Sequence, residues 1–270
     1  MIRADYHTHT RFSPDSRCEP EALCEAALRA GFAEIAVTDH FEFFPPGNFA
    51  DGRYEIASFA AQQQALAACR EKFAGCLAVR SGIEVGQPQC DPEGAAALMG
   101  ALSFDYVIGS VHKMKGMDLG LIDYPEERIP ALVEEDLRML RTLAETGDFD
   151  CMGHIDIIKR YAAVKGRRID LLDYIDALDP VLRALITRGK GLEINTSGLR
   201  QAARETLPSH RLLARFRALG GEILTIGSDA HRPEDVGAGY EAALAAAKAA
   251  GFRYLALFEG RRPSFTCIDL

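Results

Sequence analysis

Six of the seven histidines in this 270-residue chain fall in five short polar motifs: His7-Thr8-His9, Asp39-His40, Ser110-Val111-His112, Gly153-His154 and Asp229-Ala230-His231. Each motif directly follows a short apolar run, the pattern of a strand that ends in ligands. Alternate side chains of an extended strand share a face, so His7 and His9, like Asp229 and His231, can reach one ion together. Glu84 closes another such run, Val79-Arg80-Ser81-Gly82-Ile83. Imidazole and carboxylate together suit zinc, manganese or iron better than calcium. A divalent ion held this way lowers the pKa of a bound water toward neutrality, which gives a hydroxide nucleophile.

The elements that position these motifs follow from the apolar rhythm. Strands are expected over residues 2–7, 34–38, 77–84, 105–109, 151–153, 191–195 and 222–227, with helices over 20–30, 54–73, 93–101, 125–145, 171–188, 209–219 and 234–250. The first helix has Pro20 at its start and Gly31 just past its end, as helix boundaries prefer. A Pro-, Gly- and Phe-rich loop spans 41–53. Seven strand-helix units imply a parallel sheet. The motifs at His7, Asp39, Glu84, His112, His154 and Asp229 sit at six different strand ends, and one cluster requires those ends to converge. A sheet closed into a barrel converges them at its carboxyl-terminal mouth, whereas an open sheet spreads them along a line. Residues 1–270 are read as one domain.

Composition narrows the function classes. The chain is 48% hydrophobic and 26% charged, with a net charge of -8 and a pI near 5.4. It has no basic stripe for bulk nucleic-acid binding. Its seven cysteines are scattered and form no Cys-x-x-Cys pair, the pattern of reduced thiols in a cytoplasmic protein. Residues 1–5 lack a signal peptide's apolar stretch, and no apolar run approaches the ~18 residues that a membrane span needs. The absence of a Gly-rich phosphate loop and of a Gly-x-Ser-x-Gly elbow disfavours a nucleotide kinase and a serine hydrolase.

The motifs Asp5-x-His7-x-His9-Thr10, Ser13-Pro14-Asp15, Thr38-Asp39-His40, Gly82-Ile83-Glu84, Gly109-Ser110-Val111-His112, Gly153-His154 and Gly227-Ser228-Asp229-Ala230-His231 resemble the PHP (polymerase and histidinol phosphatase) family. Residues 104–112, 153–161, 195–200 and 227–237 look like its monofunctional histidinol-phosphate phosphatase branch. The resemblance implies a distorted TIM-like (β/α)7 barrel with three divalent metal ions, zinc, manganese or iron. One ion would take His7, His9, Glu84 and Asp229, a second Glu84, His112 and His154, and a third Asp15, His40 and His231. Glu84 would bridge the first two, and Glu84, Asp229 and His231 would be catalytic. Aspartate at position 15, where related phosphatases often carry histidine, hardens the third site toward manganese or magnesium; alternatively Asp15 serves an Asx-type turn after Pro14.

The resemblance further implies hydrolysis of L-histidinol phosphate, a small-molecule phosphate ester. An esterase for nucleotides or other small phosphates and a non-catalytic metal-binding module are the alternatives. For the phosphoryl group, Arg160 and Arg200 offer guanidinium forks that match it bidentately. Lys113 and Lys159 are nearby cations, and Ser197 and Asn195 are either hydrogen-bonding groups at the mouth or turn residues. Glu42, in the run Phe41-Glu42-Phe43-Phe44-Pro45-Pro46, is expected to face the substrate's amine. Asp39 and Asp5 are expected behind the ligands, orienting them. Asp156 either orients His154 or binds substrate. His210, at a helix start, reads as a surface residue.

Overall fold

The computed structural model describes residues 1–43 and 54–268. Seven parallel strands wrap into a nearly closed barrel: β1 (Ala4–Asp5), β2 (Glu34–Val37), β4 (Ala78–Gly86), β5 (Tyr106–Ser110), β8 (Cys151–Met152), β9 (Gly191–Asn195) and β10 (Leu224–Gly227), hydrogen-bonded in that order. The seam between β10 and β1 is closed by Tyr6 N–H donating to Ile226 O at 2.9 Å and by a bridge pairing Thr8 with Ala230. The short strand β3 (His40–Glu42) adds to the upper half of β4, with His40 in register with Glu84. Closure is what brings the strand ends together, as the ligand pattern requires.

Helices α1 (Pro20–Arg29), α2 (Ile56–Lys72), α3 (Pro92–Ala101), α4 (Ile129–Thr146), α5 (Ile158–Val164), α6 (Ile175–Thr187), α7 (Ser197–Arg200), α8 (His210–Ala218) and α9 (Tyr240–Ala249) complete the layer around the strands. The apolar residues of α4 recur at helical spacing, Leu132, Val133, Leu137, Leu140 and Leu143, and are buried. The large core lies between helices and strands, while a smaller cluster of Ala4, Tyr6, Ala36, Tyr106, Ile108 and Cys151 fills the lower barrel interior.

Several elements depart from the expected boundaries. The hairpin β11 (Tyr254–Glu259) and β12 (Arg262–Cys267) follows the last expected helix and plugs the barrel bottom, placing the Phe258 ring 5.0 Å from Tyr106. A hairpin of β6 (Lys113–Met114) and β7 (Met117–Asp118) follows directly after His112. Lys159 and Arg160 belong to α5, in a segment where no helix was expected. The last helix starts at Tyr240 rather than 234, because Gly237 and Gly239 take positive φ angles of 69° and 80° that a helix cannot contain. Residues 44–46 of the phenylalanine loop lie outside the described residues; Phe41 and Phe43 are buried, and Phe41 packs against both Phe43 and Phe59. Among the described residues no disulfide joins the cysteines, and no helix is long and apolar enough to cross a membrane.

Candidate metal centre

The strand ends deliver the ligands in fixed order. Beyond β1 the chain stays extended, with Asp229 N–H donating to His7 O and His9 N–H to Ala230 O at 2.7 and 2.8 Å. Asp5 ties this corner together by accepting from the Ser228 and Gly237 amides, both at 2.8 Å. Beyond β10 the extended expectation fails: Asp229 has φ 56°, so the chain turns left-handed there. Asp229 therefore faces His7 and His9, while the His231 ring stacks on His9 with centroids 4.3 Å apart and turns its Nε2 to Asp15. Gly227 is required at this point, since a Cβ would collide with the Glu193 carboxylate and with His7.

Glu84, at the centre, is fully buried and is approached from two sides. Its Oε2 lies 3.1 Å from His7 Nε2, 3.0 Å from His40 Nδ1 and 3.6 Å from His9 Nε2. Its Oε1 lies 3.0 Å from His112 Nε2 and 2.9 Å from His154 Nε2. Asp229 Oδ1 is 3.4 Å from His9 Nε2 and 3.8 Å from His7 Nε2. At the rim, Asp15 Oδ2 lies 3.0 Å from His231 Nε2 and 3.5 Å from His40 Nε2, its side chain half exposed. His40 thus presents one nitrogen to Glu84 and the other to Asp15. Donors about 2.0–2.2 Å from a shared tetrahedral ion stand roughly 3.3–3.6 Å apart; the pairs here span 2.9–3.8 Å around that range.

Against their burial, neighbouring acids hold His7, His40 and His112 above the usual imidazole range. Burial, reinforced by His40 and His231, holds His9 down to about 3, so it is a neutral donor. Its Nε2 is buried without a directed hydrogen bond. Burial would push Glu84 up, but His7, His112 and His40 hold it well below the carboxylate range. Asp229 is likewise held low against its burial by His7, His9 and His231. The centre therefore combines ionised carboxylates with imidazole nitrogens converging on shared points, a donor set suited to divalent ions.

Behind the donors stands a layer of orienting groups. The sequence reading missed Glu193, whose Oε1 meets His7 Nδ1 at 2.6 Å and whose Oε2 accepts from the His154 amide at 3.0 Å. Its signal was a lone charge in the otherwise apolar strand Gly191-Leu192-Glu193-Ile194. Ser13 Oγ stands 3.0 Å from His9 Nδ1 and 2.8 Å from Asp39, so Asp39 acts on His9 at one remove. Ser110 Oγ donates to Glu84 Oε1 at 2.6 Å.

Four of the side chains named from the sequence have their partners within the protein. Glu42, expected to face a substrate amine, is engaged within the protein: its buried carboxylate meets His112 Nδ1 at 2.6 Å and accepts from Lys113 and Gln87 at 3.2 and 2.9 Å. Arg200 faces the loop after β10, donating to Ser228 O at 2.8 Å with Asp235 at 3.3 Å, and does not line the cavity. Ser197 is buried between Asn195 Oδ1 and Asp229 Oδ2, at 2.6 and 3.1 Å. Asp156 neither orients His154 nor meets the cavity; it pairs with Lys159 at 2.7 Å. His210 is exposed.

The centre forms the floor of a cavity of about 430 Å³. Arg160 lines it, with Nη1 3.8 Å from Asp229 Oδ2, Nη2 donating to Tyr161 OH at 2.7 Å, and its guanidinium carbon 4.7 Å from the centre of the Tyr161 ring. Lys113, Asp118 and Tyr161 line the same walls.

Comparison with known proteins agrees with this geometry. The PHP domain model matches residues 5–197. The chain is 29% identical over 267 residues to the histidinol-phosphatase of Lactococcus lactis, covering 97% of this chain and 96% of that one. It is 26% identical over 267 residues to the histidinol-phosphatase of Bacillus subtilis, covering 90% and 99%. Among solved structures, the L. lactis histidinol phosphate phosphatase complexed with zinc, L-histidinol and phosphate superposes with a TM-score of 0.78 at 26% identity, over 97% of this chain and 98% of that one.

Proposed function

This chain belongs to the PHP domain family, and from that premise we propose that it is a metal-dependent histidinol-phosphatase, hydrolysing L-histidinol phosphate to L-histidinol and phosphate. The observation that carries the reading is Glu84, whose two oxygens are each approached by ring nitrogens, His7 and His40 on one and His112 and His154 on the other. A carboxylate so placed is suited to bridge two ions. Near-full-length similarity to histidinol-phosphatases supports the choice of substrate.

His7, His9, Glu84 and Asp229 would hold one ion, Glu84, His112 and His154 a second, and Asp15, His40 and His231 a third. Zinc, manganese or iron suits the first two, with magnesium allowed at the harder third. Such ions would supply Lewis-acid activation of water and of the phosphoryl oxygens. The protein's own part is orientation and charge. Glu193 and Glu42 fix the rings of His7 and His112 through their far nitrogens, which sets tautomer and direction. Arg160 offers its fork to the phosphoryl group from the cavity wall, and Ser197 steadies Asp229 from behind.

A phosphate-release panel tests the reading. Purified protein should hydrolyse histidinol phosphate with a kcat/KM at least about a hundredfold above that for nucleoside monophosphates. A preference for nucleotides would support the broader esterase instead. Full metal occupancy without turnover of any ester would support a binding module.

A further inference from the structure

We propose that Asp118 is the specificity residue that reads the cationic end of the substrate; this rests on the phosphatase reading above. A phosphate ester of an amino alcohol brings an anionic end to the metal cluster and an ammonium and imidazole to the wall. The wall therefore needs a carboxylate not committed to the centre. Among the described residues, five carboxylates line the cavity: Asp15, Glu42, Glu84, Asp118 and Asp229. Glu84 and Asp229 lie within the donor groups, and Asp15 pairs with His40 and His231. Glu42 is buried on His112, Lys113 and Gln87. Asp118 alone is tied to none of the cluster's histidines.

Its placement suits the role. The β6/β7 hairpin leaves the centre directly after His112, and Leu119 N–H donates back to His112 O at 2.9 Å, which fixes the hairpin to the ligand strand. Asp118 Oδ1 accepts from the Gly120 amide at 2.8 Å. Its Oδ2 stands 4.0 Å from Lys113 Nζ, beyond hydrogen-bond reach, while that ammonium donates to Glu42 at 3.2 Å. The side chain is 43% exposed, open to an incoming ligand. The next turn packs on the aromatic wall: a Cβ at Gly120 would sit 3.1 Å from the Tyr161 ring, and that ring carries Arg160. Along one wall the order is then cation, aromatic face, anion. Such a series complements a substrate that carries a phosphoryl group at one end and a protonated amine beside a planar ring at the other.

The test compares histidinol phosphate with phenyl phosphate, which has no cationic end. Asp118→Asn keeps the Oδ1 acceptor for Gly120 and so the hairpin turn. It should raise KM for histidinol phosphate about tenfold or more, the effect of losing one charge-assisted contact. Its kcat should change by less than about twofold, as should both constants for phenyl phosphate, with metal content unchanged. Asp118→Glu should recover part of the lost affinity. Equal losses on both esters, or no change on either, would overturn the assignment while leaving the phosphatase reading intact. Wild-type protein that hydrolyses phenyl phosphate but not histidinol phosphate would overturn both.

Discussion

Glu42 and Asp118 are two acids within one cavity with opposite duties, and burial separates them. Glu42 is enclosed against His112, and that ring together with Lys113 holds it below the carboxylate range despite the burial that would raise it. Removing its charge should loosen the imidazole it orients. Glu42→Gln is therefore expected to lower metal affinity or activity about 10- to 100-fold, by the same factor for histidinol phosphate and phenyl phosphate. Kinetics on both esters with elemental analysis checks this, and a loss confined to histidinol phosphate would return Glu42 to substrate recognition. At this scale the histidine motifs were legible because chemistry fixes ligand types and strand ends fix their order. The partners of Glu42 and Arg200, His112 and Ser228, were not legible because they come from other segments of the chain. Sequence spacing carries no information on such contacts.

Among the elements, α4 carries the clearest anomaly. Its buried face includes Asp136, whose Oδ2 has no hydrogen-bond partner and whose carboxyl is pushed up to about 8 by burial, reinforced by Asp156 and Glu135. A folded-state pKa raised above the unfolded value near 3.9 means that the folded state binds the extra proton. The contribution is complete below about pH 4 and is lost as pH rises toward 8. Asp136→Asn, which cannot ionise, should stabilise the metal-free protein by about 1–3 kcal/mol at pH 8 and much less at pH 5. Urea unfolding of chelator-treated protein at both pH values reads this, and an equal gain at both would contradict it. The strand-helix rhythm that places α4 was visible in apolar periodicity. Both hairpins were missed for different reasons: β6 and β7 are two residues each, too short for a periodic signal, and β11/β12 continues after the seventh unit had already completed the barrel.

For the whole molecule, closure is the property on which the centre depends. Seven strand ends converge only because β10 returns to β1, and the aromatic plug of Phe258 against Tyr106 and Tyr6 closes the opposite end. The need for one cluster predicted that closure before any contact was known. The C-terminal plug was invisible to that reasoning, because nothing in a ligand pattern at the mouth constrains the bottom. The most direct test of the account is to strip the protein with a chelator and restore zinc or manganese stepwise, reading bound metal and phosphate release from histidinol phosphate on the same samples. Activity is expected to be absent without metal, to rise as ions fill the centre up to three per chain, and to fall at least about a thousandfold in Glu84→Gln. Full activity in the metal-free protein, or undiminished activity in Glu84→Gln, would contradict it.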